Sequence, residues 1–186
     1  MNPIKNKKDL ETSIEEIQNY AYSYLEKYSS SKQQLRTYLF KKLIKKKQNI
    51  TSKKEIFNLI DVVITNLVDQ KLLSDKYYSD VKSKAFLRKG YSLNKIRYNL
   101  IKKGIDQKYI KDSISKIKEN ESDPDFFSAI KMCKRRRIGP IREEANRTIF
   151  FKKDISILAR SGFSYEISKK ILDMPKEEFK KFLKMI

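Results

Sequence analysis

Residues 89–106 read KGYSLNKIRYNLIKKGID, and this stretch decides the fold class. Gly90 and Gly104 bracket a run in which Ile96 and Leu100 stand four apart, giving one apolar stripe along a short helix. A glycine closes the preceding helix in the left-handed conformation, and Ser92, two residues on, caps the free amides of the next. Tyr91 covers the joint between them. The string returns as Gly162-Phe163-Ser164 in SGFSYEISKKILDM, with Leu100 and Leu172 each ten residues past the glycine. A weaker copy lies earlier, in SSSKQQLRTYLFKKL, where Ser31 takes the place of Ser92, and Leu35 and Leu39 fall where Ile96 and Leu100 fall. Glycine and serine are common in any helical hairpin, so the weight rests on their repetition. Units of this size cannot bury their apolar faces alone and stack into an elongated body, which suits a long partner better than a small substrate.

Outward from this stretch, almost every segment has helical period and none alternates as a strand does, so the fold class is all-α. The expected organisation is a charged segment 1–13, a three-helix repeat over 14–73, a second over 74–120 and a third over 121–186 with an insertion near 138–147. The first helix is expected from Ile14 to Lys27. Ser31 caps a second, and Thr51 opens a third whose Ile56, Leu59, Ile60, Val63 and Leu67 form one face. Ser74, Ser92 and Asp106 cap the three helices of the middle repeat. Asp123-Pro124 has the form of a helix opening, with aspartate as cap and proline in the first turn. A basic helix from Phe126 to Arg137 follows. Gly139-Pro140 breaks it, and helix resumes near Arg147, again at Ser164, and finally around Phe179 and Phe182.

The 43 Lys and Arg against 23 Asp and Glu leave a formal charge of +20, enough to draw the chain toward a polyanion. Most of the cations are lysines, and a lysine-rich codon bias accounts for part of that number. Cys133 is the only cysteine, so no intramolecular disulfide forms, and a small half-buried residue is the expected role. The amino terminus has no apolar signal region, and no apolar run approaches a membrane span. A cytoplasmic monomer is expected.

Little points to catalysis. There is no histidine, which removes imidazole bases and ligands, and one cysteine cannot build a zinc site. The glycines at 90, 104, 139 and 162 stand too far apart for a phosphate-binding loop. Glu119, Glu121, Asp123 and Asp125 cluster without the spacing of a calcium loop and read as a solvated linker with a helix cap. Neither an enzyme, a cofactor nor a metal is expected.

Basic clusters remain. Lys41, Lys42, Lys45, Lys46 and Lys47 end one helix, where the helix dipole alone favours cations. A more distinctive set is Lys131, Lys134, Arg135, Arg136, Arg137, Arg142 and Arg147. It holds five of the nine arginines within 13 residues of a lysine-rich chain. The planar arginine fork suits phosphate or carboxylate better than a lysine ammonium does. Arg88, Lys89, Lys95 and Arg97, around the opening stretch, are secondary candidates.

GYSLNKIRYNLIKKGI preceded by LLSDKYYSDV, together with RRRIGPIR and ILARSGFSYEI, resembles the RecX family of bacterial regulatory proteins over roughly Tyr20 to Leu172. The resemblance is strongest from Leu73 to Ile105. Gly90-Tyr91-Ser92-Leu93 stands where the family commonly has Gly-Tyr-Gly-Pro. The glycine usual before Asp75 is absent from Gln70-Lys71-Leu72, and Asn99 replaces an acidic residue. The resemblance implies three tandem three-helix repeats in a curved basic body that binds the RecA recombinase. The implied function is inhibition of RecA from the groove of its DNA filament, affecting recombination, DNA repair and the SOS response. DNA contact would be weak and sequence-independent, and the basic residues named above would touch RecA or DNA.

The alternative is a direct nucleic-acid binder, with Leu93 to Lys103 as a helix-turn-helix reader presenting Asn94, Lys95, Arg97 and Asn99. The three units share no repeated recognition face.

Overall fold

The computed structural model describes residues 7–46 and 52–186, which are helical with no strand among them. In chain order the helices are α1 (Lys7–Leu25), α2 (Lys32–Lys46), α3 (Lys53–Asp69), α4 (Asp75–Arg88), α5 (Leu93–Lys102) and α6 (Gln107–Asn120). After these come α7 (Pro124–Arg136), a 3-10 turn (Gly139–Ile141), α8 (Glu144–Arg160), α9 (Tyr165–Leu172) and α10 (Lys176–Leu183). The all-α expectation holds. Helix α1 already begins at Lys7, because Lys, Leu and Glu favour helix before the apolar stripe starts at Ile14. Thr51 and Lys47 lie outside the described residues, and Ser52 caps α3 by accepting the Lys54 amide at 3.2 Å. Segment 138–147 runs through the 3-10 turn directly into α8, which begins one turn before Arg147.

Two compact bodies form, one from residues up to Tyr78 with Lys103–Ile105, the other from Ser79–Lys102 with Asp106–Ile186. The first is built on one stripe from each helix: Ile17 and Ala21 of α1, Leu35 and Leu39 of α2, and Ile60, Val63 and Leu67 of α3 are buried together. In the second, Phe126, Ala129, Ile130 and Cys133 of α7 meet Leu158 of α8, Ile171 and Leu172 of α9, and Phe179 of α10. Burial of that many aliphatic and aromatic side chains, at about 1.5–3 kcal/mol each, is the main stabilising term in each body.

One joint occurs twice, once in each body. Ser31 accepts the Gln34 amide at 3.2 Å and donates its hydroxyl hydrogen to the Lys103 carbonyl at 2.6 Å, while Asp75 accepts the Lys32 amide at 2.9 Å. Ser92 accepts the Lys95 amide at 3.1 Å and donates to the Ser161 carbonyl at 2.7 Å, while Asp125 accepts the Leu93 amide at 2.7 Å. A glycine closes each joint. A Cβ on Gly104 (φ 72°) would stand 2.5 Å from the Gln33 Cβ, and one on Gly162 (φ 85°) 2.5 Å from the Ser92 Oγ. The hydrogen bonds therefore match Gly162 with Gly104, which corrects its pairing with Gly90 in the sequence. Gly90, Arg137, Gly162 and Lys71 all close their helices alike, with an amide bonded three residues back and the next amide five back, so the serine contacts and not the helix stops set the match. A glycine, an apolar residue and a cap recur at both kinds of joint, so the letters do not tell them apart.

Two of these stops are made without glycine. Lys71 at φ 60° and Arg137 at φ 53° take the left-handed conformation that ends α3 and α7. Lys71 thus does the work of the glycine missing from Gln70-Lys71-Leu72.

Candidate anion-binding surface

The basic run belongs to the last turns of α7, whose start is fixed by Asp123, which accepts the Phe126 amide at 3.1 Å ahead of Pro124. Phe126, Ala129, Ile130 and Cys133 are turned inward, and past Cys133 the helix end runs clear of the core, so that Lys134, Arg135, Arg136 and the capping Arg137 are all exposed. Lys131 is half-buried, because the backbone of Gly90 lies against it. A Cβ at Gly90 would come within 2.9 Å of the Lys131 Cβ and of the Ser128 carbonyl oxygen.

Arg135 is held in place. Its Nη1 donates to the Lys89 carbonyl at 2.6 Å, and its guanidinium lies over the Tyr91 ring, 5.7 Å from the centroid. Tyr91 stacks in turn on Phe86 at 5.4 Å. Beside it a cavity of about 330 Å3 opens between α5, α7 and α8, with Lys95, Arg135, Arg136 and Arg160 as its charged walls and Met132 and Ile157 as its apolar ones. No carboxylate lines it. Arg136 and Arg160 are exposed and have no ion-pair partner among the described residues. The structure therefore brings together Lys95, Arg135 and Arg136 from the sequence candidates and adds Arg160, which stands alone in the sequence and gave no signal.

Two of the arginines are turned into the fold. Arg142 makes a two-pronged pair with Asp154, Nε and Nη2 each at 2.8 Å, and lies over Phe150 at 4.6 Å. Asp154 is 1% exposed and also accepts the Gly139 amide at 2.9 Å, so this pair anchors the turn after α7 to α8. The bond to Asp154 raises the pKa of Arg142 further above its ordinary value. Arg147 donates through Nη2 to the carbonyls of Leu172 at 2.9 Å and Met174 at 2.8 Å, closing the end of α9. Arg88, Lys89 and Arg97 are exposed on α4, its end and α5, and Arg97 donates to the Asn94 side chain at 3.2 Å.

The acidic cluster is used locally. Asp123 and Asp125 cap α7 and α5, and burial raises the pKa of Asp125 despite the Leu93 amide that opposes it. Among the described residues no group of His, Cys, Asp and Glu is arranged to hold a metal ion. Cys133 is fully buried rather than half-buried, and burial, with Asp154 nearby, pushes its thiol up to about 12. Asn99 donates to the Lys95 carbonyl within α5 at 2.7 Å, and Asn94 reaches the Gly162 carbonyl at 3.5 Å, so the polar tips a reading helix needs are engaged within the fold. No described helix is long and apolar enough to cross a membrane.

No protein-family model matches the chain. Among curated proteins it is similar to the regulatory protein RecX of Myxococcus xanthus, 28% identical over 163 residues and covering 84% of each chain. It is also similar to the regulatory protein RecX of Agrobacterium fabrum, 25% identical over 160 residues, with 86% of this chain and 83% of the relative covered. The fold is similar to the crystal structure of RecX from Lactobacillus salivarius, with a TM-score of 0.58, 20% identity, and 90% of this chain and 97% of that one covered. A second crystal structure, of a regulatory protein RecX, has a TM-score of 0.59 and 20% identity over 93% of this chain and 80% of that one.

Proposed function

Taking the chain's membership of the RecX family as premise, we propose that it regulates a RecA recombinase, lodging in the groove of the RecA filament on DNA and limiting its activity. The observation that supports this reading most is the exposed, unneutralised cationic end of α7, in a chain of formal charge +20. A RecA filament carrying DNA is a long polyanionic partner, and such a surface is attracted to it without needing to read sequence. On this reading the protein acts by occupying a site rather than by chemistry, as a monomer in the cytoplasm. Contact with bare DNA is weak. If about six phosphates are engaged, log affinity falls with log salt at a slope of roughly −5.

The test adds the purified chain in stoichiometric amounts to RecA filaments on single-stranded DNA and follows filament assembly, ATP hydrolysis and strand exchange. The expected result is reduced exchange and hydrolysis, with the effect lost when Arg135, Arg136 and Arg137 are changed together to glutamate. Unchanged filament behaviour with the native chain overturns the proposal.

A further inference from the structure

We propose that the surface formed by α5, α7 and α8 takes a single-stranded nucleic acid, seating one phosphate in the cavity walled by Lys95, Arg136 and Arg160 and stacking a neighbouring base on Tyr98. This deepens the reading above and rests on it only for where such a strand is met.

The cavity gathers an ammonium and three guanidiniums around about 330 Å3 with no carboxylate in its walls. Like charges so placed repel one another, and an anion bound among them relieves that repulsion. Arg135 is already bonded to the Lys89 carbonyl, which leaves the forks of Arg136 and Arg160 for the ligand. Two forks and an ammonium match the several acceptor oxygens of a phosphate.

Tyr98 lies nearly one turn along α5 from Lys95. It is 49% exposed, and Ile101 beside it is 50% exposed. The ammoniums of Lys95 and Lys102 stand over its ring, 5.4 and 4.7 Å from the centroid. A half-exposed aromatic ring under lysine ammoniums is a stacking platform, and a base placed on it displaces an ammonium toward the strand's own phosphates. Lys95 belongs to both halves, walling the cavity and overlying the ring, so the two lie within one side chain's reach. Only an unpaired base has a free face to stack, so the platform selects single strands over duplex.

The experiment follows the anisotropy of a fluorescein-labelled oligothymidylate bound by the full chain, without recombinase, across a salt series. Arg160→Gln and Tyr98→Ala are each expected to weaken binding about tenfold, and Arg160→Gln to reduce the salt slope by about one. Tyr98→Phe keeps the ring and is expected to bind as the native chain does. Lys95→Gln, which touches both halves, carries the same expectation as Arg160→Gln should either first variant melt at a lower temperature. Unchanged affinity in Arg160→Gln and Tyr98→Ala, equal losses in Tyr98→Phe and Tyr98→Ala, or duplex bound as tightly as the single strand overturns the proposal. Because no filament is present, such a failure leaves the filament reading to stand or fall on its own test.

Discussion

Asp154 and Arg142 face each other through two bonds of 2.8 Å, and the carboxylate, 1% exposed, takes a third from the Gly139 amide. Removing the charge from one partner strands the other among groups that cannot solvate it. Asp154→Ala is therefore expected to destabilise the protein by about 3 kcal/mol in urea unfolding. Arg142→Met, which removes the half-buried partner, should cost less when combined with Asp154→Ala than the sum of the two changes. Strict additivity would show that the pair is not coupled.

The Ser92 hydroxyl serves two partners, donating to the Ser161 carbonyl and accepting the Lys95 amide. Ser92→Ala should lose about 1–2 kcal/mol, as expected for a helix cap with a buried second bond. Gly162→Ala should cost at least as much, since φ 85° disfavours a side chain and the new Cβ meets the Ser92 Oγ at 2.5 Å. Thermal melting of both variants measures this, and a Gly162→Ala protein as stable as the native one contradicts the joint described.

Cys133 is fully buried, and its thiol titrates only near 12, so almost no thiolate forms in mildly alkaline buffer. Labelling by iodoacetamide is expected to be negligible in the folded chain and rapid in denaturant. Fast labelling of native protein would place the thiol at the surface.

Two carboxylates of the second body respond to acid in opposite senses. Burial pushes the Asp80 pKa upward, but the Lys116 ammonium at 2.6 Å and the Ser113 hydroxyl at 2.7 Å together hold it below its usual value. Its contribution to stability is full above the unfolded pKa of about 3.9 and is lost as pH falls through the lower folded value. Asp125 is raised by burial, so its contribution is full below the unfolded pKa and declines as pH rises through the folded one. Unfolding free energies measured across the acid range should flatten in Asp80→Asn. In Asp125→Asn, which keeps an oxygen for the Leu93 amide, the acid decline should steepen.

Helices were legible wherever a cap and an apolar stripe coincide. Ser92, Asp106, Asp123 and Ser164 all cap as their spacing indicates. The register of the joints was not, because Gly90-Tyr91-Ser92, Gly104-Ile105-Asp106 and Gly162-Phe163-Ser164 offer the backbone the same chemistry. Arg142 and Arg147 share a short stretch with Arg135 and Arg136, yet their partners at Asp154, Leu172 and Met174 lie 12 to 27 residues further along. A dense run of one residue type shows where charge is concentrated along the chain. Which way each side chain turns depends on groups that only folding brings near, and Arg160 joins the cationic cavity for the same reason.

The carbonyls that complete the Ser31 and Ser92 joints lie 72 and 69 residues downstream of those serines. Synthesis is vectorial, so each nascent serine leaves the ribosome long before the group that satisfies it exists. A chain arrested short of Lys103 is expected to be cleaved by protease near the start of α2, and one extended past Ile105 to resist, making completion of the first body an event timed by translation of the second.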